Sequence, residues 1–181
     1  RASPGASSSR RGPRGGRGMA EIIAAEIPGA NISLSHEIGR IGLLERENAA
    51  AMNACLSVLA VRIVQSFRDA LSGLGITAPF YISQNDGTLM SADFVEKYPV
   101  LTFASGPTNS MRGAAFLSGL KDAVVVDIGG TTSDVGVLNQ GFPREASVAV
   151  RIGGVRTNFR MPDVLSFGLG GGSHVKPEPL T

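Results

Sequence analysis

Residues 123–138 read AVVVDIGGTTSDVGVL, and no other stretch limits the fold as tightly. Val124 to Ile128 is an apolar run holding a single acid, of strand length and suited to a strand buried on both faces. Val135 to Leu138 resumes the apolar pattern, and Gly129, Gly130, Thr131 and Thr132 stand between. The segment therefore predicts strand–turn–strand.

The turn has the composition a phosphate group requires. Several N–H donors must converge with no side chain in the way; glycines permit that approach and adopt the backbone angles of an anion-binding nest. Thr131 and Thr132 add hydroxyls beside those amides. Asp127 and Asp134 would repel a bare phosphate, but fit a site where Mg2+ lies between them and the phosphates, since magnesium takes one or two carboxylates with waters and phosphate oxygens. Asp127 is the metal-ligand candidate, and both aspartates are candidates for catalysis, either one also able to serve as a base. The competing reading is a tight hairpin whose glycines serve geometry alone; two acids placed between buried strands argue against it, because burying them without purpose is costly. No GxxxxGK[ST] stretch occurs, so the loop is not of the Walker type.

The rest of the chain predicts mixed helix and strand. MAEIIAAEI, from Met19, reads as a short helix closed by Pro28-Gly29, and ANISLSHEIG as a short strand entering a loop. A long helix is expected from about Leu44 to Leu71, on a stripe of Leu44, Ala51, Met52, Cys55, Leu56, Leu59, Ile63, Phe67 and Leu71, stopped by Gly73 and Gly75. Phe80 to Ile82 predicts a strand, Asp86-Gly87 a turn, and Ser91 the N-cap of a helix ended by Pro99. Pro107 opens a further helix that Gly119 can close. Ser147 to Ile152 and Val164 to Phe167 are strand candidates, with Gly141 in a turn and Gly153-Gly154 interrupting.

Of the 181 residues 43% are hydrophobic, enough for one domain with a core. The net charge of +2 misleads, because residues 1–18 carry five arginines and no acid and leave the remainder mildly acidic. No basic surface supports nucleic-acid binding. Residues 1–18 are expected to be a disordered Arg/Gly/Ser-rich tail, with residues 19–181 the ordered part. Targeting and RNA contact are alternative roles for the tail; its glycines and prolines oppose the amphipathic helix of a transit peptide. The single cysteine, Cys55, forbids an internal disulfide and fits a reducing, cytoplasmic setting. No apolar run approaches the roughly 20 residues of a membrane span, and no apolar segment of a secretory signal follows the arginines. Opening on Arg1, with Met19 the first methionine, the sequence reads as a fragment or as one whose first 18 residues are not a natural beginning.

The hairpin resembles the phosphate hairpin of the actin, Hsp70 and sugar kinase superfamily. SHEIGRIGLLERENAAAMNA, ASGPTNSMRGAAFLSGLKDAVVVDIGGTTSDVGVL and PDVLSFGLGGGSHV narrow this. Three blocks in order resemble the hydantoinase A/oxoprolinase family, which includes ATP-dependent 5-oxoprolinase, N-methylhydantoinase and nucleotide-handling subunits of acetone-type carboxylases, and the similarity covers about residues 20 to 175. The resemblance implies an α/β fold, a piece of an actin-like (ribonuclease H-like) ATPase of two lobes, each with its own hairpin. It implies ATP and Mg2+ as cofactors, a small cyclic amide as substrate, phosphorylation of its amide oxygen, and a B-type subunit or domain as partner. Carboxylation remains open, as does a truncated fragment without activity of its own; the blocks outside the hairpin argue against a sugar kinase. Only one hairpin is present, so the chain resembles the middle of a longer A-type subunit.

Residue by residue, Asp127, Gly129, Gly130, Thr131, Thr132 and Asp134 match the family hairpin. Ser133 stands where the family has threonine and keeps the hydroxyl; Thr108 stands where alanine is common, a packing change. The resemblance places GLGGGS, with Gly170, Gly171 and Gly172, near the nucleotide; a surface loop is the plainer alternative. His36 and Glu37 lack zinc-site spacing and read as structural or substrate-facing. Arg40 and Arg46 suit an anionic substrate or pairing with Glu45 or Glu47. SGPTNS, with Asn109 and Arg112 nearby, suits an anion at a helix start or ordinary capping. His174 reads as exposed and Cys55 as packing.

Overall fold

A computed structural model describes residues 12–146 and 149–176. Its helices are α1 (Gly12–Glu26), α2 (Ser35–Ile38), α3 (Leu44–Gly73), α4 (Ala92–Lys97) and α5 (Ser105–Ser118), with a 3-10 turn at Pro99–Thr102. Its strands are β1 (Tyr81–Ser83), β2 (Leu89–Ser91), β3 (Ala123–Ile128), β4 (Ser133–Asn139), β5 (Phe142–Pro143), β6 (Val150–Ile152), β7 (Val155–Thr157) and β8 (Val164–Phe167).

The first helix begins at Gly12, ahead of the expected start at Met19, so helix runs through the end of the segment read as disordered. Residues 1–11 of that tail lie outside the described residues. The strand expected around Ile32 and Leu34 is absent; the chain passes through a loop into the single turn of α2.

The long helix α3 lies where expected, but on a different face. Its buried residues are Ala49, Ala50, Asn53, Ala60 and Val64, while Leu44, Leu59, Ile63 and Phe67 of the expected stripe are exposed. Small side chains let α2, α4, the 3-10 turn and β7 approach α3 closely. Cys55 is exposed rather than packed. The expectation of no membrane-length apolar run also changes: by length and composition α3 would suffice to cross a membrane, its best 18-residue window having a mean hydropathy of 1.4. Here it serves as the spine of two adjoining cores. Ala49 and Ala50 pack with Ile38, Tyr98, Val100 and Phe159, and Val64 packs with Met90, Ala92 and Val95.

Asn53, buried among these apolar groups, joins the elements through its amide. Its Nδ2 donates to Ser33 Oγ at 3.1 Å and to the Lys97 carbonyl at 2.9 Å, and its Oδ1 accepts from the Val100 N–H at 3.3 Å. The amide thus satisfies backbone groups at the α4/3-10 junction that helix geometry leaves unpaired.

Local chemistry explains the smaller elements. Asp86 accepts from the Thr88 N–H at 2.9 Å and the Thr88 hydroxyl at 2.6 Å, with Gly87 at φ +86°, closing the β1–β2 hairpin. Ser91 Oγ accepts from the Phe94 N–H and caps α4. Gly153 and Gly154, both at positive φ, form a two-residue hairpin between β6 and β7, where only an interruption was expected. Residues 147–148 of the strand expected over 147–152 lie outside the described residues.

The second half of the chain builds a four-stranded antiparallel sheet. β3 pairs with β4 through the hairpin, and β5 and β8 share the far edge of β4, β5 at Leu138–Asn139 and β8 at Ser133–Gly136. Helix α5 covers one face: Met111 lies directly over Gly136. The other face contradicts the expectation of a strand buried on both sides. Val124, Val126 and Ile128 of β3 are 67%, 54% and 67% exposed, beside exposed Leu165 and Phe167 of β8. Strand alternation puts these side chains opposite α5, and the described residues supply no layer to cover them.

Candidate functional site

The antiparallel register sets Asp127 of β3 directly opposite Asp134 of β4, on the α5 side of the sheet. Like charges across a ladder are mutually repulsive. The arrangement is therefore a local cost to the fold. Asp134 stands in turn opposite Ser166 of β8, whose hydroxyl donates to the Asp134 carboxylate. The Asp127 carboxylate makes no hydrogen bond or ion pair among the described residues.

At the turn, the Gly129 N–H donates to the Thr132 carbonyl at 2.9 Å and closes the hairpin. Thr131 and Thr132 are exposed. The N–H groups of Gly130, Thr131 and Thr132 have no hydrogen-bond acceptor among the described residues. These three donors stand on one exposed turn, but neither Gly129 nor Gly130 adopts the positive φ expected of a nest, so the glycines leave the turn uncovered without supplying left-handed backbone.

The glycine-rich loop that follows β8 lies against this turn. The Gly171 N–H donates to the Gly129 carbonyl at 2.9 Å and the Gly172 N–H to the Gly130 carbonyl at 2.8 Å. Ser133, 4% exposed, donates its hydroxyl to the Leu169 carbonyl. The Gly170 N–H reaches Ser173 Oγ at 3.0 Å. A side chain on Gly170 is impossible without movement, because a Cβ there would lie 2.7 Å from Gly130 C and Thr131 N and 2.8 Å from Gly129 O, all backbone. Two glycine clusters some forty residues apart in sequence thus form one surface, tied by the two backbone hydrogen bonds and supported by the Ser133 hydroxyl.

The remaining candidates separate from this site. Glu37 accepts from the Tyr98 hydroxyl at 2.7 Å and pairs with Lys97 at 3.4 Å. Burial acts to raise the Glu37 pKa, but the Tyr98 hydrogen bond, the Lys97 charge and bond, and His36 outweigh it, holding the carboxyl below its usual range. The same cluster raises Tyr98, through burial and then Glu37, and raises Lys97, chiefly through its bond to Tyr98. Arg40 pairs with Glu145, and Glu45 with Arg156 at 3.2 Å. Arg112 donates to the Gly141 carbonyl and lies 4.0 Å over the Phe142 ring, bracing the β4–β5 turn. Asn109 and His174 are exposed. Thr108 is more than a packing change: fully buried, it donates to the Asn85 carbonyl at 3.0 Å. A cavity of about 310 Å3 bordered by Arg40, Glu45, Asn158 and Phe159 shares no residue with the hairpin.

Sequence reasoning missed Ser166, whose only signal was a hydroxyl in an otherwise apolar strand. It also missed Asn53, a polar residue inside a helical apolar stretch.

Comparison with known proteins agrees with this architecture. The acetophenone carboxylase gamma subunit of Aromatoleum aromaticum is 30% identical over 149 residues, covering 80% of this chain and 20% of that protein. The caprolactamase subunit alpha of Pseudomonas jessenii is 27% identical over 161 residues, covering 87% of this chain and 23% of that one. A nucleotide-free structure of acetone carboxylase superposes with a TM-score of 0.68 at 22% identity, over 95% of this chain and 25% of that one. The α/β, actin-like ATPase class expected from the hairpin is the class of that match. The chain spans a fifth to a quarter of the length of each of these proteins. The family model for Hydantoinase/oxoprolinase matches residues 46–179, which include the hairpin, Ser166 and the glycine-rich loop, and the chain belongs to that family.

Proposed function

We propose that this chain supplies a phosphate-holding hairpin to an ATP-dependent enzyme that opens a cyclic amide of the 5-oxoproline or hydantoin type. The observation that carries the reading is the backbone-to-backbone seating of Gly170–Gly172 on the 129–132 turn, beside three unengaged amides and two opposed carboxylates.

These residues fit a magnesium-bound nucleotide. Gly129, Gly130, Thr131 and Thr132 would hold phosphate oxygens through N–H and hydroxyl donors, with Gly170, Gly171 and Gly172 bordering the nucleotide. Asp127, whose carboxylate has no partner among the described residues, would be the ligand available to Mg2+, and Asp134 would serve beside it in catalysis. Among the described residues no third carboxylate, histidine or cysteine joins them, which suits a metal whose remaining ligands are waters and phosphates. ATP, when bound, would supply the phosphoryl group that activates the amide oxygen; water would add to the activated carbon, the ring C–N bond would break with the nitrogen leaving as the protonated amine, and a second water would cleave the resulting acyl phosphate to carboxylate and phosphate, with ADP the other product. The hairpin's contribution is to hold negative charge as it moves between phosphate oxygens. Residues 19–181 would form part of an A-type domain, working with a B-type subunit or domain in the cytoplasm, with no nucleic acid or membrane involved.

A second reading, ATP-dependent carboxylation, is favoured by the similarity to acetophenone carboxylase. Carbonyl activation by ATP is common to both, so the hairpin does not separate them.

Titration with MgATP tests the site: binding should require the metal and be lost in Asp127→Ala, and equal binding by wild type and variant refutes the assignment. With the full-length protein and its partner, phosphate release that depends on 5-oxoproline or hydantoin marks the amide hydrolase. Release that depends on a ketone together with bicarbonate marks the carboxylase.

A further inference from the structure

We propose that Ser166 is a positioning residue that holds Asp134 and thereby makes the two hairpin aspartates unequal. The inference rests on the phosphate-site reading above. Asp127, Asp134 and Ser166 form one row across β3, β4 and β8, on the same face of the sheet. Side by side, two carboxylates of one row repel and swing apart unless something holds them. Ser166 holds one: its hydroxyl donates to Asp134 Oδ1, while Asp127 has no such partner among the described residues. A hydrogen bond to an ionised acceptor is among the stronger ones a side chain makes, and it fixes the acceptor's rotamer.

The topology explains why a serine of β8 has this task. β8 pairs with β4 only over Ser133–Gly136, the hairpin end, and leads within two residues into the loop that seats on the turn. The strand therefore delivers the Asp134 clamp and the glycine loop together, and the position of one sets the other. Asp134 is the preset carboxylate of the site, and Asp127 remains adjustable and answers to the metal. Ser166 is exposed on its strand, so its hydroxyl is not needed to satisfy a buried group and has no packing task to explain it.

The test compares Ser166→Thr with Ser166→Val in the full-length protein, two β-branched residues of equal shape on a strand that tolerates both. Phosphate release from MgATP and the Kd for MgATP are measured, each also in an Asp134→Ala background. The Thr variant should keep wild-type turnover. The Val variant should lose about tenfold in kcat with Kd changed less than about twofold, the signature of a group that acts after binding. In the Asp134→Ala background, assayed at enzyme concentrations that keep the residual turnover above the uncatalysed rate, Thr and Val should become equal, because the acceptor is gone. Equal turnover by Thr and Val with Asp134 intact overturns the positioning role, as does an undiminished difference once Asp134 is removed. A wild-type protein that binds no MgATP refutes the phosphate-site reading itself, and this inference with it.

Discussion

In a Gly170→Ala variant the new methyl would have to occupy space 2.7 Å from Gly130 C and Thr131 N and 2.8 Å from Gly129 O. Carbon atoms not bonded to each other rest at about 3.5–4.0 Å, so a separation of roughly 1 Å must be found. The obstacles are backbone, so no side-chain rotation relieves them. Either the loop lifts and the Gly171 and Gly172 hydrogen bonds to the turn, 2.9 and 2.8 Å long, stretch, or the turn itself deforms. Overpacking of this kind costs about 1–3 kcal/mol. For a chain of 181 residues, a mid-range loss lowers Tm by about 4–8 °C. Displacing the turn by a fraction of an ångström should also weaken MgATP binding by about tenfold or more. Gly171→Ala is the matched control: its nearest obstacle is Gly129 O at 3.8 Å, an ordinary contact, and its N–H is retained. Differential scanning calorimetry and MgATP titration on the pair decide the matter. Equal Tm and equal affinity for the two variants would refute the claim that the loop seats on the turn.

Three further outcomes are expected. Gly136→Ala would place a methyl onto the Met111 sulfur and 2.9 Å from its Cε; because that side chain is flexible, the loss should be about 1 kcal/mol and should be largely restored by Met111→Ala, read by denaturant unfolding of the double-mutant cycle. Asn53→Ala leaves the Lys97 carbonyl and the Val100 N–H without their partner and should cost about 2–4 kcal/mol, visible as a reduced urea midpoint at unchanged m-value. Glu37 is depressed in the folded protein, so its contribution to stability is complete above the unfolded carboxyl value of 4.5 and is lost as pH falls through the lower folded value. Lys97 is raised, so its contribution is complete below 10.5 and is lost as pH rises through the higher folded value. Glu37→Gln should flatten the acid limb of the stability–pH curve, and an unchanged limb would rule Glu37 out as its source.

What the sequence determined by itself was everything that depends on neighbours along the chain. The hairpin at 129–132, the capping of α4 by Ser91, the closure of α5 at Gly119 and the length of α3 all follow from turn chemistry, capping and periodicity, which act over a few residues. Asp127 and Asp134 were legible as a pair because a strand–turn–strand sets its own register. Only the tertiary structure decided which face of α3 is buried. Ala49, Ala50, Asn53, Ala60 and Val64 face the core because small groups admit close approach, whereas a hydrophobic pattern ranks side chains by apolarity and so favours the larger leucines and phenylalanine. It likewise decided that β3 has one bare face, since burial is a property of what lies above a strand and not of the strand. Placing Gly170 on the hairpin and Ser166 beside Asp134 needed β8 to return to β4, a pairing about thirty residues distant in sequence. Long-range contacts of this kind leave no periodic trace: a glycine chosen because a backbone lies 2.7 Å away looks, in the sequence, like any glycine in a loop.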